Sequence, residues 1–433
     1  MERYKEYKDS GNYIIGPIPK GWDLVKLKFL CAGFNNGTTA TQVDYAENTI
    51  PVTRIESISE GVINYKKVGY VTKVANIESF KLNKGDILLS HINSYERVGN
   101  TAVYDSDVEL YHGMNLLRLT PKGNINKDFL CFFLKSRCFI LQMQRACKPA
   151  INQVSVPSKV IKNLSITYPP LPEQEKIVNY IESRTSKIDA YIAEKEKEVQ
   201  LLNELKEAEI AKVVTQGLNP DVKMKDSGIS WIGMIPEHWE VKRIASLFTG
   251  KVMTNSDFAY QHAFKFNYGT LVPKEEAGDI EEYRETYVKY QVIQKDDILI
   301  NGLNLNYDFV SQRVAIAPSD GIITSAYIVA RPRKGTNANY YTYLFKTMDS
   351  KKLFHGMGTG IRLTLSFDEL KKQLVVIPPV DEQQAIVAYI NEKCSKITSL
   401  IFELESEIDY LKEYKQRLIA DCVTGQVNVQ NEQ

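Results

Sequence analysis

The sequence lacks the features that mark several large classes of protein. No uninterrupted apolar run approaches the roughly 18 residues of a membrane span, and the first residues, Met1 to Lys5, contain no apolar signal core. Only six cysteines are present, and none forms a Cys-x-x-Cys pair, which argues against a disulfide framework or a zinc site. These absences predict a cytoplasmic protein with reduced thiols, no membrane partner and no bound metal.

The motifs of the common catalytic classes are also missing. The chain contains no Gly-x-x-x-x-Gly-Lys-Ser/Thr, no His-Glu-x-x-His, no Gly-x-Ser-x-Gly and no Gly-x-Gly-x-x-Gly. Its five histidines are isolated from one another, and the Asn/Asp-Pro-Pro-aromatic motif of amino-methyltransferases is absent. The sequence therefore predicts a chain without catalytic residues and without a cofactor of its own.

Net charge is low as well, at +1 for 433 residues. Composition alone therefore does not indicate a nucleic-acid partner, and a DNA-binding role would require the basic residues to be sorted onto one face. The length is that of two to three domains, each able to bury its own core.

What the chain does contain is an internal repeat. An Asp-Ser-Gly followed by a segment that ends in Trp22 returns as an Asp-Ser-Gly followed by a segment that ends in Trp239, an offset of 239 − 22 = 217. Residues 169–174 (Pro-Pro-Leu-Pro-Glu-Gln) return as residues 378–383 (Pro-Pro-Val-Asp-Glu-Gln), an offset of 379 − 170 = 209. Two tandem copies of one half predict two similar surfaces, which suits a protein that measures or bridges something with two parts.

Each copy also contains a predicted strand followed by a short helix. Residues 84–90 (Lys-Gly-Asp-Ile-Leu-Leu-Ser) match residues 295–301 (Lys-Asp-Asp-Ile-Leu-Ile-Asn), and in both a turn with Asp leads into an apolar run of strand length. The predicted helices at 126–136 and 337–347 carry apolar residues at i, i+3 and i+4. Between these anchors the copies diverge, which indicates one scaffold carrying two different recognition surfaces.

The Pro-Pro repeats predict the starts of two long helices. Proline and carboxylates suit a first helical turn, and Gly217 and Gly425 mark the predicted ends. Each helix would run for roughly 45 residues, about 65 Å at 1.5 Å per residue. Apolar residues recur at alternating spacings of four and three, the pattern of a coiled-coil seam. The seam residues are Ile181, Ile188, Ile192, Val199 and Leu202 in the first helix, and Ile390, Ile397, Ile401, Leu404, Ile408 and Leu411 in the second.

The seam of the first helix is the weaker one, because Lys195 and Glu209 stand where the second copy has leucines. A helix of this length needs a partner, and the direction of the chain makes the two helices an antiparallel pair. Two alternatives stay open: separate helices that contact something else, or a coil that dimerises the protein.

Together the patterns predict an α+β fold with two globular α/β domains separated by two long antiparallel coiled-coil helices, arranged as a pseudo-twofold tandem repeat. The predicted segments are a first domain at residues 1–165, a first long helix at 166–217, a second domain at 218–375 and a second long helix at 376–433.

The segments that end in tryptophan, the Pro-Pro helix starts and the order domain–helix–domain–helix resemble the DNA specificity subunit of type I restriction–modification enzymes. The resemblance covers nearly the whole chain. It implies two target recognition domains, each reading one half of a split, asymmetric DNA site, and paired helices that fix the gap between the halves. A span of about 65 Å corresponds to roughly 20 base pairs at 3.4 Å each, a scale on which two half-sites can be held apart.

The same resemblance implies partners. The chain would bind double-stranded DNA, modification (methyltransferase) subunits that dock on the helices, and restriction (translocase and nuclease) subunits. S-adenosylmethionine, ATP and Mg would belong to those partner subunits. The complex would then have adenine methyltransferase and ATP-dependent endonuclease activity, while this chain is its non-catalytic subunit.

Candidate DNA contacts are polar and basic residues in the divergent segments, since Arg, Lys, Asn and Gln match the donors and acceptors of base edges. The candidates of the first copy are Asn35, Asn36, Thr38, Arg54, His91, Asn93, Ser94, Tyr95, Arg97, Lys148, Asn152 and Gln153, and those of the second copy are Lys251, Asn255, Asn301, Asn304, Asn306, Tyr307, Arg313, Arg362 and Thr364. Those that follow the repeated Asp-Ile-Leu strands begin at equivalent places and differ in sequence. Asn and Ser are also ordinary turn residues, so a structural role stays open for each.

Other residues carry weaker predictions. Trp22 and Trp239 are expected to pack where domain meets helix rather than to stack on DNA. The basic run at residues 331–334 either contacts phosphate or forms a solvated turn.

Two other functions stay open at this point. The chain could be a tandem-repeat coiled-coil scaffold whose end domains bind proteins without DNA specificity. It could also be an enzyme with an unfamiliar site, although no cluster of catalytic groups is evident in the sequence.

Overall fold

Each Pro-Pro repeat begins a long helix in the structure, a computed structural model that describes residues 2–74, 76–150, 153–276, 278–309 and 312–430. The first long helix is Leu171–Gln216 and the second is Val380–Val423. The glutamine of each repeat anchors its helix start: the Nε2 atoms of Gln174 and Gln383 donate to the carbonyls of Pro169 and Pro378, both at 2.8 Å. The predicted long helices are confirmed.

By its internal contacts the chain divides into two compact units. The first unit is Met1–Lys195 with Ser406–Gln433, and the second is Glu196–Glu405. Each unit therefore combines one globular region with a part of both long helices. The four segments predicted from the sequence separate the globular regions from the long helices, and this division stays a prediction.

The first unit consists of short strands and short helices. Its strands are β1 (Tyr7–Lys8), β2 (Ile18–Pro19), β3 (Asp23–Lys26), β4 (Cys31–Asn36), β5 (Gln42–Val43), β6 (Thr49–Val52), β7 (Gly69–Thr72), β8 (Ile87–Ser90), β9 (Ile92–Asn93), β10 (Thr101–Val103), β11 (Leu116–Pro121), β12 (Lys148–Ala150), β13 (Gln153–Ser155) and β14 (Ser165–Tyr168). Its shorter α-helices are Leu27–Leu30, Lys127–Lys135, Arg137–Arg145 and Ser158–Ile161, with single-turn helices at Glu56–Ile58, Tyr65–Lys67 and Ile77–Phe80.

The strands of the second unit are β15 (Met224–Asp226), β16 (Met234–Pro236), β17 (Glu240–Arg243), β18 (Phe248–Thr249), β19 (Phe264–Asn267), β20 (Thr270–Pro273), β21 (Gln291–Ile293), β22 (Ile298–Ile300), β23 (Val314–Ile316), β24 (Gly321–Ile323), β25 (Ile328–Pro332) and β26 (Leu374–Ile377). Its shorter α-helices are Ile244–Leu247, Arg284–Tyr287, Ala338–Ser350 and Phe367–Leu370, with single-turn helices at Ile280–Tyr283 and Leu353–Gly356.

The repeat in the sequence is a repeat of topology. The main sheet of the first unit has the order β10-β8-β11-β4, and that of the second has β23-β22-β25-β18, with corresponding strands in corresponding places. The pairs β3–β14 and β17–β26 also correspond. A helix capped by an asparagine packs on each main sheet. The Oδ1 of Asn126 accepts from the Phe129 amide at 3.1 Å, and the Oδ1 of Asn337 accepts from the Tyr340 amide at 3.2 Å. The tandem repeat is confirmed.

The units differ in their smaller sheets. The first unit contains β5-β7-β6 and β12-β13-β9, whereas the second contains the pairs β19–β20 and β21–β24. The divergence predicted between the sequence anchors is therefore a divergence of the strands and loops that surround a common scaffold.

Within each unit the two long helices run antiparallel. In the first unit Lys415 Nζ contacts Asp189 Oδ1 at 2.6 Å, and Tyr191 Oη donates to Glu407 Oε1 at 3.0 Å. In the second unit Lys206 Nζ donates to Thr398 Oγ1 at 3.0 Å. Every seam residue is buried or half-buried; these residues are Ile181, Ile188, Ile192, Val199, Leu202, Ile390, Ile397, Ile401, Leu404, Ile408 and Leu411.

The two polar positions of the first seam have partners. Lys195 Nζ lies 3.3 Å from Glu407 Oε2 in the first unit, and Glu209 Oε1 accepts from Tyr389 Oη at 2.6 Å in the second. Hydrogen bonds across the pair thus replace the apolar contacts that leucines make at the equivalent positions. Among the described residues, no helix is both long and apolar enough to cross a membrane.

Candidate nucleic-acid interface

A basic hollow of about 450 Å³ opens on the first unit. Its cationic side chains are Arg54, Lys66, Lys67 and Arg97, and Asn93 lies beside them. The sequence brings the two lysines there through a single-turn helix, whose cap is Asn64: its Oδ1 accepts from the Lys66 amide at 3.0 Å. We call this surface the basic hollow.

Carboxylates offset only part of the charge of the basic hollow. Arg54 Nε lies 3.3 Å from Glu56 Oε2, and Lys67 Nζ lies 2.5 Å from Glu60 Oε1. The hydrogen bond from Lys67 holds the pKa of Glu60 below its usual value, so this pair stays ionised. Within the described part of the chain, Lys66 and Arg97 have no carboxylate within 4.0 Å. The remaining positive charge suits the phosphates of a nucleic acid.

A small sheet beside the basic hollow gathers further predicted residues. In β12-β13-β9, Asn93 pairs with Val154, and Lys148 pairs with Ser155. The side chains of Lys148 and Gln153 are exposed. The structure therefore brings Arg54, Asn93 and Arg97 together in the hollow and places Lys148 and Gln153 on the neighbouring strands. Asn152 lies outside the described residues.

The other candidates of the first unit divide into exposed and buried ones. Asn35 and Asn36 are exposed on β4, and Ser94 and Tyr95 are exposed in the turn after β9. Thr38 is buried, and its Oγ1 accepts from the Ala40 amide at 3.2 Å. His91 is half-buried with Nδ1 at 3.3 Å from the Val156 carbonyl, and burial lowers its pKa.

In the second unit the candidates after β22 form one loop that is joined to a distant turn. We call residues 301–309 the recognition loop and residues 359–364 the recognition turn. The Leu305 amide donates to the Leu363 carbonyl at 3.2 Å, and Asn306 Nδ2 donates to the Ile361 carbonyl at 3.2 Å. Gly302 allows the close approach, since a Cβ there would lie 2.5 Å from the carbonyl oxygen of Leu365. The two segments therefore present one surface.

The recognition loop and turn expose several large apolar side chains. Tyr307 is 76% exposed and Ile361 is 96% exposed, and Phe309 stacks on the His355 ring with 4.8 Å between centroids. Asn304 has a φ of 52° and is exposed. Arg362 and Thr364 are exposed in the turn, while Asn301 and Asn306 are half-buried. Apolar side chains of this kind contact thymine methyl groups or wedge between base steps.

Two candidates of the second unit turn inward. Arg313 is 1% exposed, and Asn255 is buried with its Nδ2 donating to the carbonyls of Tyr260 and Tyr287 at 2.7 and 3.2 Å. Both side chains lie in the interior, where Arg313 Nη1 and Nη2 and the Asn255 amide bond to backbone groups, so neither is placed to contact a ligand. Lys251 is exposed, in the segment after β18.

Four residues of these surfaces were not predicted from the sequence: Lys66, Lys67, Phe309 and Ile361. Lys66 and Lys67 were detectable as a basic pair after a capping asparagine. Phe309 and Ile361 carry no signal of exposure, because an apolar residue in a sequence is normally read as part of a core.

The remaining predictions concern structural residues. Trp22 and Trp239 are buried in the cores of their units, as a packing role requires. In the basic run, Arg331 Nη2 pairs with the buried Asp297 Oδ2 at 2.8 Å, so this residue supports the sheet rather than a phosphate. No group of three or more His, Cys, Asp or Glu side chains in the described ranges is placed to hold a metal ion.

Comparison with known proteins places this architecture. The family model described as the type I restriction modification DNA specificity domain matches residues 19–201 and 236–409. The chain is 30% identical over 437 residues to the specificity subunit assigned to the type I restriction enzyme MjaX of Methanocaldococcus jannaschii, with 99% of each chain covered. It is 21% identical to the specificity subunit of the type I restriction enzyme EcoKI of Escherichia coli, covering 96% of this chain and 91% of that one.

A solved structure shares the fold. The chain matches a protein from work on complex assembly and conformational transition of the type I R-M system, with a TM-score of 0.66 and 16% sequence identity. The match covers 95% of this chain and 99% of the other.

Proposed function

The chain belongs to the type I restriction–modification DNA specificity family, and from this premise we propose that it is the specificity subunit that directs such a complex to one bipartite, asymmetric DNA sequence. Each unit reads one half of the sequence. The chain itself is not catalytic.

The observation that carries this proposal is the pairing of a common scaffold with unlike surfaces. Both units have the same order of strands in the main sheet. On that scaffold the first unit presents the basic hollow, while the second presents the aromatic and aliphatic side chains of the recognition loop and turn. Two halves of an asymmetric site require such a difference, since direct readout needs different donors, acceptors and apolar groups for different bases.

The long helices supply the spacer in this proposal. The first contains 46 residues and the second 44, which is about 65 to 70 Å of helix at 1.5 Å per residue. Because each helix continues from one unit into the other along the chain, its length is the quantity that evolution can change to set the gap between half-sites.

The helices also offer docking surfaces for the modification subunits. Leu201 and Leu205 are exposed on the first helix, and Tyr410 and Tyr414 are exposed on the second. These pairs are equivalent in the repeat, because 410 − 209 = 201 and 414 − 209 = 205, and members of each pair lie on one helix face at i and i+4. Leu201 is 54% and Tyr410 is 73% exposed, so each copy presents an apolar patch of the same placement, which suits two copies of one partner.

The chemistry of the complex would reside in partners. Modification subunits would carry S-adenosylmethionine for adenine methylation, and restriction subunits would use ATP and Mg for translocation and cleavage. Free thiols support a cytoplasmic complex; they are those of Cys31, Cys131, Cys138, Cys147 and Cys394.

Mapping of methylated adenines in a genome with and without this gene tests the proposal. We expect one bipartite motif to lose its methylation when the gene is deleted and to regain it when the gene is restored. Unchanged methylation of every motif in a strain with active modification subunits would contradict the proposal and favour a scaffold without DNA specificity.

A further inference from the structure

The recognition loop of the second unit is held from inside by the buried side chain of Arg313. Arg313 Nη1 donates to the carbonyls of Asn301 and Leu303 at 3.0 and 2.9 Å. Its Nη2 donates to the carbonyl of Asp308 at 2.8 Å and lies 3.5 Å from the carboxylate of the same residue. One guanidinium therefore ties together the first, third and eighth residues of the loop.

The position of Arg313 is itself fixed by the scaffold. Its amide donates to the buried Asp349 Oδ2 at 2.6 Å, and its carbonyl accepts from the Asn301 amide at 2.8 Å. The side chain is 1% exposed, so solvent does not compete for its donors. Only arginine combines a permanent charge with five donors in a planar fork, which is what three carbonyls at different angles require.

The equivalent loop of the first unit is held by different contacts. The residue equivalent to Arg313 is Asn100, because the Ser90 amide donates to the Asn100 carbonyl at 2.8 Å, just as the Asn301 amide donates to the Arg313 carbonyl. The loop there is tied by its own Asn93, whose Nδ2 donates to Ser90 Oγ at 3.1 Å. That loop turns its arginine, Arg97, outward into the basic hollow.

On the basis of the proposed function, we propose that Arg313 is a positioning residue for DNA recognition by the second unit. It contacts no DNA. It sets the backbone of the recognition loop in the one shape that presents Tyr307 and Phe309 to the half-site, and the sequence preference of this half depends on it.

The test uses the full chain with its modification subunits and compares Arg313→Gln and Arg313→Lys with wild type. Arg331→Gln is the matched control, since Arg331 is a largely buried arginine of the same unit that pairs with Asp297 and has no bond to the recognition loop. The readouts are the sequence preference at each half of the methylated motif, the melting temperature, and amide hydrogen exchange across residues 301–309.

We expect Arg313→Gln to reduce discrimination at one half by about tenfold to a hundredfold, the cost of a lost base readout, while the other half is unchanged. Exchange in the recognition loop rises. Arg313→Lys, which keeps the charge but not the fork, falls between Gln and wild type. Arg331→Gln lowers the melting temperature without altering the preference at either half.

Unchanged preference at both halves in Arg313→Gln would overturn the inference, as would a loss that Arg331→Gln reproduces at equal melting temperature. If Arg313→Gln does not fold, Arg313→Lys decides the question by the same criteria. Wild-type protein without any sequence preference would instead refute the proposed function, while hydrogen exchange would still show whether Arg313 orders the loop.

Discussion

A tryptophan occupies the same place in each unit but finds different partners there. Trp239 Nε1 donates to Glu382 Oε2 at 2.9 Å, whereas Trp22 Nε1 is buried and has no partner within the described chain. The glutamate equivalent to Glu382 is Glu173, and its Oε1 accepts from Tyr4 Oη at 2.6 Å and from Gln430 Nε2 at 2.9 Å. In the first unit, Tyr4 and Gln430 thus bond to the glutamate that accepts from the tryptophan indole in the second unit.

Single residues were the least predictable part of the site. Arg97 and Arg313 belong to the same residue type and follow equivalent strands, yet one is exposed in the basic hollow and the other is buried beneath a loop. Whether each arginine is exposed or buried depends on the backbone of loops that differ in length and have no periodicity. Residue type alone could therefore not distinguish a residue that contacts DNA from one that supports the loop.

Our first prediction concerns the buried His112. Burial lowers its pKa to about 4 from 6.5, and its Nε2 lies 3.1 Å from the Leu116 carbonyl. Between pH 6.5 and about 4 the unfolded chain binds a proton that the folded chain does not, so the free energy of unfolding falls as the pH falls through this window. The full difference is on the order of 3 kcal/mol. We expect His112→Gln to flatten this decline, as measured by urea unfolding at pH 4.5 and 7.

The buried Gln142, a polar side chain of the same unit without an ionisable group, provides the control. Gln142→Ala should keep the pH dependence of the wild type. A wild-type slope in His112→Gln would show that burial of this imidazole does not govern the loss of stability in acid.

Helices and strands, in contrast, are specified by local sequence patterns, and each pattern occurs in both copies of the repeat. The repeated Pro-Pro motif predicts a helix start, and the glutamine that ends it is the residue that anchors that start in both copies. The apolar seam predicts a pairing that the structure shows within each unit. The polar seam positions Lys195 and Glu209, weak points in the sequence pattern, have hydrogen-bond partners on the opposite helix that no periodicity could reveal.

A second prediction concerns the ends of the long helices. Gly425 has a φ of 74°, and a Cβ added there would overlap Pro19 and lie 3.2 Å from the Trp22 ring. Gly335 has a similar φ of 87° but open space around it. We expect Gly335→Ala to cost about 1–2 kcal/mol through backbone strain alone, and Gly425→Ala to cost about 1–3 kcal/mol more through overlap. Equal losses in urea unfolding would show that the contact with Pro19 has no effect on stability.

A third prediction concerns the exposed apolar pairs of the long helices. Two double variants test these pairs: Leu201→Ala with Leu205→Ala, and Tyr410→Ala with Tyr414→Ala. We expect each double variant to bind the modification subunits about tenfold to a hundredfold more weakly, because the substitutions remove apolar contact area. Binding is measured by titration with the purified partner. Glu207→Ala, at an exposed position on a different face of the first helix, is the control and should bind as wild type. Wild-type affinity in both double variants would exclude these patches as docking surfaces.

At the scale of the whole molecule, the repeat consists of a scaffold that is the same in both units and of surfaces that differ between them. The scaffold of each unit consists of a main sheet in the same order, an asparagine-capped helix and a part of both long helices. The variable part consists of loops and small sheets. This division explains why the fold class and the family could be predicted from the sequence while the DNA contacts could not: the former depend on repeated local patterns, the latter on irregular backbone.

The spacer leads to a fourth prediction. Four residues inserted in the first long helix add about 6 Å, close to two base pairs of duplex. We expect the gap of the methylated motif to change while both halves stay the same. Four residues inserted at the exposed Gly123, in a turn of the first unit, should leave the gap unaltered. An unchanged gap in the helix variant would count against the helices as the spacer.

In the proposed function each unit reads its own half of the DNA site, and a chimera of the first unit tests this assignment. Residues 1–165 are replaced by the corresponding residues of a relative that has a different target, and the methylated motif of the chimera is mapped across a genome. We expect that one half of the motif changes to that of the relative while the other half and the gap remain. A chimera that folds and directs methylation but changes both halves, or neither, would contradict it.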